Sequence, residues 1–105
     1  MTYRLIISET AHQQIEHAIE YVALELKNPS AAEAIISDIE KTYERIRQMP
    51  NAMPLCEDSV LKSYGYHKAL LEKHSYLILF RIEGELIKIS GFFHTLENYS
   101  EKRYL

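Results

Sequence analysis

Two apolar runs on either side of a glycine constrain the fold of this chain most. Residues 76–82 form the first run, residues 85–94 form the second, and Glu83-Gly84 lies between them. Runs rich in β-branched and aromatic residues around a short glycine-containing turn are typical of a β-hairpin. With Glu83-Gly84 as a two-residue loop, the register places Ile82 opposite Glu85. The sequence therefore predicts a hairpin whose pairing can be read along both strands.

Side chains alternate across a strand, so this register divides the hairpin into two faces. The polar and mainly basic face contains Lys73, Arg81, Lys88, Ser90 and His94, and the register places Lys73 opposite His94. The apolar face contains Ile78, Phe80, Ile82, Ile87 and Ile89. The basic face is a candidate docking surface, since the chain continues from it into a tail with more cations and tyrosines. A bulge at Gly91 or a longer loop would change the register.

The length and composition predict one globular domain over residues 1–105. Hydrophobic residues make up 47% and charged residues 26% of the chain, which is ordinary for a soluble protein. No apolar stretch reaches the roughly 18 residues of a membrane span, and residues 1–4 do not begin a signal peptide, so we expect a cytoplasmic protein without membrane contact. Cys56 is the only cysteine, which excludes an internal disulfide. His12, His17 and His74 lack metal-site spacing, so we expect neither metal nor cofactor.

The charge is divided unevenly along the chain. Residues 1–58 contain five basic and ten acidic residues, whereas residues 59–105 contain seven basic and five acidic residues. The second half is therefore mildly basic, but the excess is much smaller than in a dedicated nucleic-acid-binding protein. Any contact with nucleic acid has to come from a local patch.

Residues 3–7 are short, apolar and β-branched, which predicts a first strand. Thr10 with Gln13, and Ser30 with Glu33, fit capping boxes at the starts of two helices. The second helix has to stop before Pro50, and the short turn between the helices predicts an antiparallel helical hairpin.

Residues 50–58 contain two prolines and no hydrophobic period, which predicts a loop. Residues 64–71 then read as a second strand. The element order β-α-α-β-β-β indicates an α+β fold, a two-layer sandwich of a helical hairpin and an antiparallel meander. In this arrangement the helices cover one face of the sheet and the other face stays free.

Several strings resemble the RelE/ParE family of toxins from type II toxin–antitoxin systems. The likeness covers nearly the whole chain and is carried by a short first strand, an Ala/Ile-rich helical hairpin ending in Met49-Pro50, Met53-Pro54-Leu55, Tyr64-Gly65-Tyr66-His67-Lys68, residues 75–82, and the exit from His94 to Tyr99. The resemblance implies a toxin that a cognate antitoxin neutralises and binds in a hetero-oligomer. It also implies one of two targets: messenger RNA on the ribosome, cleaved by RelE-like members, or DNA gyrase, poisoned by ParE-like members.

The two branches of this family require different residues. Metal-independent RNA cleavage needs a base for the 2′-hydroxyl, cations for the phosphate and a donor for the leaving oxygen. The ribonuclease branch has an arginine where this chain has Leu77, and basic residues where it reads Phe93 to Asn98. Residues 76–81 are more similar to the ParE branch, although His67 stands where that branch has an arginine.

The resemblance therefore favours a ParE-like toxin of the plasmid-stabilization type, which inhibits growth by binding gyrase and is not an enzyme. The alternatives are a ribosome-dependent mRNA endoribonuclease and an inactive relic that only binds its antitoxin. Met49, Met53 and Leu55 are candidate antitoxin contacts, or else they close the core beneath the loop.

The candidate catalytic residues are His94 and Tyr99. A histidine titrates near working pH and suits general acid–base catalysis, but His94 could equally be a polar cap at the end of a strand. Tyr99 could act as a base or a stacking platform, or could pin the C-terminus. The candidate target-binding residues are His67, Lys68, Arg81, Lys88, Lys102 and Arg103. The alternatives are that Arg81 pairs with a neighbouring acid and that the last two are solvated tail charges.

Overall fold

A four-stranded mixed sheet, backed on one side by two helices, forms the framework of the computed structural model, which describes residues 3–97. The elements in chain order are β1 (Arg4–Ile7), α1 (Glu9–Glu20), a π-helical segment (Tyr21–Glu25), α2 (Pro29–Gln48), a 3₁₀ turn (Pro50–Ala52), α3 (Ser59–Ser63), β2 (His67–Leu70), β3 (Tyr76–Glu83) and β4 (Leu86–His94). The predicted α+β class and order are confirmed, with α3 as an additional short helix. No helix in residues 3–97 is both long and apolar enough to span a bilayer.

The strand order in the sheet is β1-β4-β3-β2. Strands β2, β3 and β4 form the predicted antiparallel meander. Strand β1 instead runs parallel to β4, with Arg4 beside Leu86 and Ile7 beside Ile89. Parallel pairing needs a long connection, which the helices and the meander supply. The sheet is therefore mixed rather than wholly antiparallel.

Both helices begin at residues other than the predicted caps. The side chain of Ser8 accepts a hydrogen bond from the Ala11 backbone N–H at 3.0 Å, so Thr10 already lies in the first turn of α1. The side chain of Asn28 accepts from the Ala31 N–H at 3.1 Å, with Pro29 at the first position of α2. Asn and Ser are both strong N-cap residues, and proline fits the first turn because its missing N–H would have no partner there.

The core between the helices and the sheet contains the predicted apolar face. Ile78, Phe80, Ile87 and Ile89 are completely buried, and Ile82 packs against them. Helix α2 contributes Ile35, Ile39 and Ile46 to the same cluster. This part of the prediction is confirmed.

A second apolar cluster covers part of the opposite face of the sheet. Cys56, Leu61 and Tyr66 are buried against three large side chains of that face, Leu77, Leu79 and Phe93. The prediction that this face stays free is therefore wrong over this end of the sheet. Large apolar side chains on a sheet face need cover, and the segment that contains α3 provides it.

The turn of the β3–β4 hairpin lies one residue later than predicted. Glu83 pairs with Leu86, so the loop is Gly84-Glu85, and Gly84 has a φ of 62° that a glycine adopts without strain. Ile82 consequently faces Ile87 and not Glu85. This changes each partner by two positions and leaves the division into faces unchanged, because the side-chain period is two.

A β-bulge at Ser90 does change the faces. Phe80 pairs with Ile89 and Leu79 pairs with Gly91, so Ser90 has no partner in β3. One extra residue reverses the alternation beyond it. His94 is therefore opposite Tyr76, on the helix-facing side, and its predicted place beside Arg81 and Lys88 is wrong.

Lys73 also leaves the predicted face, because it lies in the turn between β2 and β3. A buried carboxylate holds this turn: Asp38 of α2 accepts hydrogen bonds from the Lys73 N–H at 2.9 Å, the Glu72 N–H at 3.3 Å and His74 Nδ1 at 2.7 Å. Nearby, Arg45 of α2 donates to the Leu70 carbonyl at 2.9 Å. Together these bonds fasten α2 to the end of the sheet.

Replacing Asp38 by Asn should destabilise the protein by about 2–3 kcal/mol, because an amide cannot accept all three hydrogen bonds of the carboxylate. Burial alone would raise the pKa of Asp38, but the bonds from His74 and the two backbone N–H groups outweigh it and hold the pKa below its ordinary value of 3.8. Because its pKa is lowered on folding, the Asp38 carboxylate stabilises the folded protein fully above pH 3.8. That stabilisation is lost as pH falls through the folded-state pKa.

The measurement is urea unfolding of wild type and Asp38→Asn from neutral pH to pH values below 3.8. Glu33→Gln, an exposed position on the same helix, is the control. The difference in unfolding free energy should be largest near neutral pH and shrink in acid. A difference that is independent of pH would show that the carboxylate charge does not stabilise the turn.

Unlike the Asp38 carboxylate, the buried hydroxyl of Tyr43 on α2 makes no hydrogen bond within residues 3–97. Burial raises the pKa of Tyr43 to about 12. We expect Tyr43→Phe to keep or increase the unfolding free energy, by up to about 1 kcal/mol, because it removes an unpaired polar group and keeps the ring. Tyr43→Ala, which also removes the ring, should lose about 3 kcal/mol. Thermal and urea unfolding measure both, and a destabilised Tyr43→Phe would reveal a partner for the hydroxyl.

Candidate functional site

The basic patch on the sheet is smaller than predicted, and its charges are paired. Arg81 and Lys88 are directly opposite each other on β3 and β4. Glu83 accepts from both, at 2.9 Å from Arg81 Nη2 and 3.2 Å from Lys88 Nζ. The hydrogen bond from Lys88, with further help from Arg81, lowers the pKa of Glu83. The Arg81 guanidinium also lies 5.4 Å from the centre of the Tyr66 ring.

Lys68 and His67 point to opposite sides of β2, as strand alternation requires. Lys68 pairs with Leu79, so it shares the face of Arg81, and its Nζ lies 3.7 Å from the Glu57 carboxylate. His67 lies on the helix side, stacked on Phe80 with ring centres 5.1 Å apart. Its Nδ1 donates to the Met53 carbonyl at 2.8 Å. The structure therefore gives His67 a packing role.

His94 caps the end of β4 and the turn that follows. Its backbone N–H donates to the Glu97 carboxylate at 3.0 Å, and its ring Nδ1 accepts from the Leu96 N–H at 3.1 Å. Because Nδ1 accepts, the proton of the neutral ring is on Nε2. The ring meets Tyr76 edge-on, with centres 5.4 Å apart.

This end of the sheet and helix α1 enclose a cleft of about 430 Å³, called here the His94 cleft. It is lined by Thr10, Gln13, Gln14, His17, Ala18, Tyr76, Phe92, Phe93, His94 and Glu97. The cleft owes its position to the bulge, which turns His94 towards α1. The Gln14 side chain also fixes the helix here, because it accepts from the Phe92 N–H at 2.9 Å.

The patch formed by Arg81, Lys88 and Glu83 is called here the Arg81 patch, and it lies on the side of the sheet opposite the His94 cleft. None of the residues that line the cleft is lysine or arginine. A histidine base without a nearby cation lacks the charge stabilisation that phosphate-ester cleavage requires. Within residues 3–97 the predicted catalytic histidine and the predicted cations therefore do not form one site. Tyr99, Lys102 and Arg103 lie outside the described residues.

Other reactive or exposed groups do not add a catalytic centre to this part of the chain. Cys56 is buried, and burial raises the pKa of its thiol to about 11, so it is a poor nucleophile at neutral pH. No group of three His, Cys, Asp or Glu side chains within residues 3–97 could hold a metal ion. Met49 and Leu55 are exposed, whereas Met53 packs against the core.

Comparison with known proteins identifies the family. Residues 5–99 match the family described as ParE toxin of type II toxin-antitoxin system, parDE. The chain belongs to the ParE toxin family. The match covers nearly all of the sequence on which the RelE/ParE resemblance was based, and that resemblance is confirmed.

Two solved structures share the ParE fold of this chain. One is the chromosomal ParDE toxin–antitoxin system from P. aeruginosa, with 21% identity, coverage of 89% of this chain and 96% of that chain, and a TM-score of 0.71. The other is the RelBE2 toxin–antitoxin complex from Mycobacterium tuberculosis, with 16% identity, coverage of 90% and 99%, and a TM-score of 0.59. No curated protein gives a significant match.

The alternative that Arg81 pairs with a neighbouring acid such as Glu83 or Glu85 is observed with Glu83. Sequence reasoning missed that Glu83 also pairs with Lys88, because the predicted register placed Lys88 opposite Leu79. A bulge was named as an alternative at Gly91, because glycine in a strand often marks one, and the structure has it at the preceding residue, Ser90.

Glu83→Gln should expose the charge of the Arg81 patch. Two cations lose their shared partner, so the variant should elute from a heparin column at higher salt than wild type. Glu85→Gln is the matched control, because it removes the same charge two residues along the chain. The Glu85 side chain makes no ion pair within residues 3–97. Equal elution of the two variants would mean that Glu83 does not mask the patch.

Proposed function

We propose that this ParE-family chain inhibits growth by binding its target, that DNA gyrase is the target, and that a cognate antitoxin neutralises it. The observation that carries the proposal is the separation of the His94 cleft from the sheet cations. Three cations of the sheet face, Arg81, Lys88 and Lys68, are each within ion-pair distance of a glutamate. This arrangement supports recognition of another macromolecule more than it supports phosphate chemistry.

The charge stabilisation that RNA cleavage needs also favours a binding role over a catalytic one. Removing one preorganised donor from a site that stabilises developing charge typically costs about 10²–10³ in rate. Within residues 3–97 the lining of the His94 cleft includes no lysine or arginine, so these residues supply no cation to an RNA-cleaving reaction there. Binding makes no comparable demand, because paired surface charges can exchange partners when a complementary surface arrives.

Family membership supports the antitoxin partner. Both structural neighbours are described as toxin–antitoxin systems or complexes. The exposed side chains of Met49 and Leu55, at the end of α2 and in the following loop, are candidate contacts for that partner. Exposed apolar groups of this kind are common where a protein binds a helix or strand.

Expression of the chain alone in a bacterial host tests the proposed target. We expect filamentous cells and induction of the DNA damage response, and loss of supercoiling when purified chain is added to purified gyrase. Coexpression with the protein encoded next to this gene should restore growth. Arg81→Glu, which reverses a charge on the sheet face, should weaken gyrase inhibition by about tenfold or more. The control is Arg47→Glu on the exposed end of α2.

Codon-biased cleavage of transcripts, with gyrase unaffected, would contradict the proposal and favour a ribosome-dependent endoribonuclease. Normal growth on expression of a folded chain, combined with binding to the neighbouring gene product, would also contradict it and favour a relic that binds only its antitoxin.

A further inference from the structure

The helix that forms one wall of the His94 cleft carries only negative formal charge. From Glu9 to Glu25 the chain contains four glutamates and no lysine or arginine. Glu97 adds a carboxylate on the other side of the cleft, and none of the described residues that line the cleft is lysine or arginine. Glu97 is the one acidic residue among those that line the cleft, and the glutamates of the helix lie outside this lining. Their negative charge adds to the field around it, which raises the local concentration of cationic ligands. The cleft therefore favours a cationic ligand.

An aromatic wall lies beside this carboxylate. Tyr76 is stacked on Phe92, with ring centres 4.9 Å apart and 15° between the ring planes, and His94 meets it edge-on. These contacts hold the tyrosine ring in place. Burial raises the pKa of Tyr76, and the negative charge of Glu97 raises it further.

Glutamine side chains supply the remaining polar groups. Gln14 Oε1 already accepts a hydrogen bond from the Phe92 N–H. Gln13 donates from Nε2 to Glu9 at 3.4 Å, and its Oε1 has no hydrogen-bond partner within residues 3–97. A carbonyl oxygen and a carboxylate at the rim are both acceptors, so they suit a ligand with several N–H donors.

We propose that the His94 cleft binds an arginine side chain from a basic segment of a partner protein, with the guanidinium against Tyr76 and paired with Glu97. A guanidinium is planar, stacks on aromatic rings and offers several donors in a fixed geometry. A lysine ammonium is a compact, strongly hydrated charge, so it uses the ring and the acceptors less well. The cleft of about 430 Å³ is large enough for one such side chain and its flanking backbone.

This inference does not depend on the identity of the toxin's target. The His94 cleft lies on the side of the sheet opposite Arg81 and Lys88, so substitutions in one site leave the other in place. Failure of gyrase inhibition and failure of arginine binding can therefore be observed separately.

The test uses the full chain and a fluorescein-labelled peptide of alternating arginine and serine, with binding measured by fluorescence anisotropy. Glu97→Gln should weaken binding by about tenfold or more, because it removes the charge while its amide oxygen can still accept from the His94 N–H. Glu40→Gln, with the same charge change on the exposed face of α2, should stay within about twofold of wild type. The corresponding lysine peptide should bind about fivefold more weakly than the arginine peptide.

Equal weakening by Glu97→Gln and Glu40→Gln, or equal binding of both peptides, would overturn the proposal and show only general attraction to an acidic surface. Tighter binding by a Lys102→Gln/Arg103→Gln variant would also overturn it, since the occupant would then be the chain's own basic tail. In ¹⁵N-resolved NMR spectra, N-acetyl-arginine amide should shift the signals of Gln13, His17 and Glu97. Shifts confined to α2 would contradict the assignment of the cleft.

Discussion

The bulge at Ser90 decides which side chains of this protein can act together. Up to Ile89 the side chains of β4 alternate as an unbroken strand would, with Lys88 beside Arg81 on one face. Beyond Ser90 the alternation is reversed, so His94 joins Tyr76 beneath α1. One unpaired residue thus creates two separate surfaces, a patch of paired charges and an acidic aromatic cleft. The Gln14 side chain supports this arrangement, because it accepts from the Phe92 N–H just after the bulge.

This separation links the fold to the proposed mode of action. A nuclease has to place its base and its cations around the same phosphate, whereas a protein that acts by binding can distribute its contacts over several surfaces. Arg81 and Lys88 are paired with Glu83, and the candidate base is on the other side of the sheet. Asp38 holds α2 to the turn from which β3 begins.

The sequence contained enough information for the element order, the helix-facing core and the family, because these depend on long apolar patterns that tolerate small errors in register. Ile78, Phe80, Ile82, Ile87 and Ile89 stayed together despite a two-residue change in pairing. The candidate site was harder to predict, because it depends on single residues. The turn position moved by one, and a bulge reversed the alternation. A short helix after the proline-containing loop also covered side chains that alternation alone had left exposed.

The most direct test of this account is the pairing between β3 and β4 in solution, measured by NOE spectroscopy on labelled protein. The bulged register predicts cross-strand contacts that place Phe80 opposite Ile89 and Leu79 opposite Gly91, together with contacts between the His94 and Tyr76 rings. A continuous ladder that pairs Leu79 with Ser90 and turns His94 towards the face of Arg81 would contradict it.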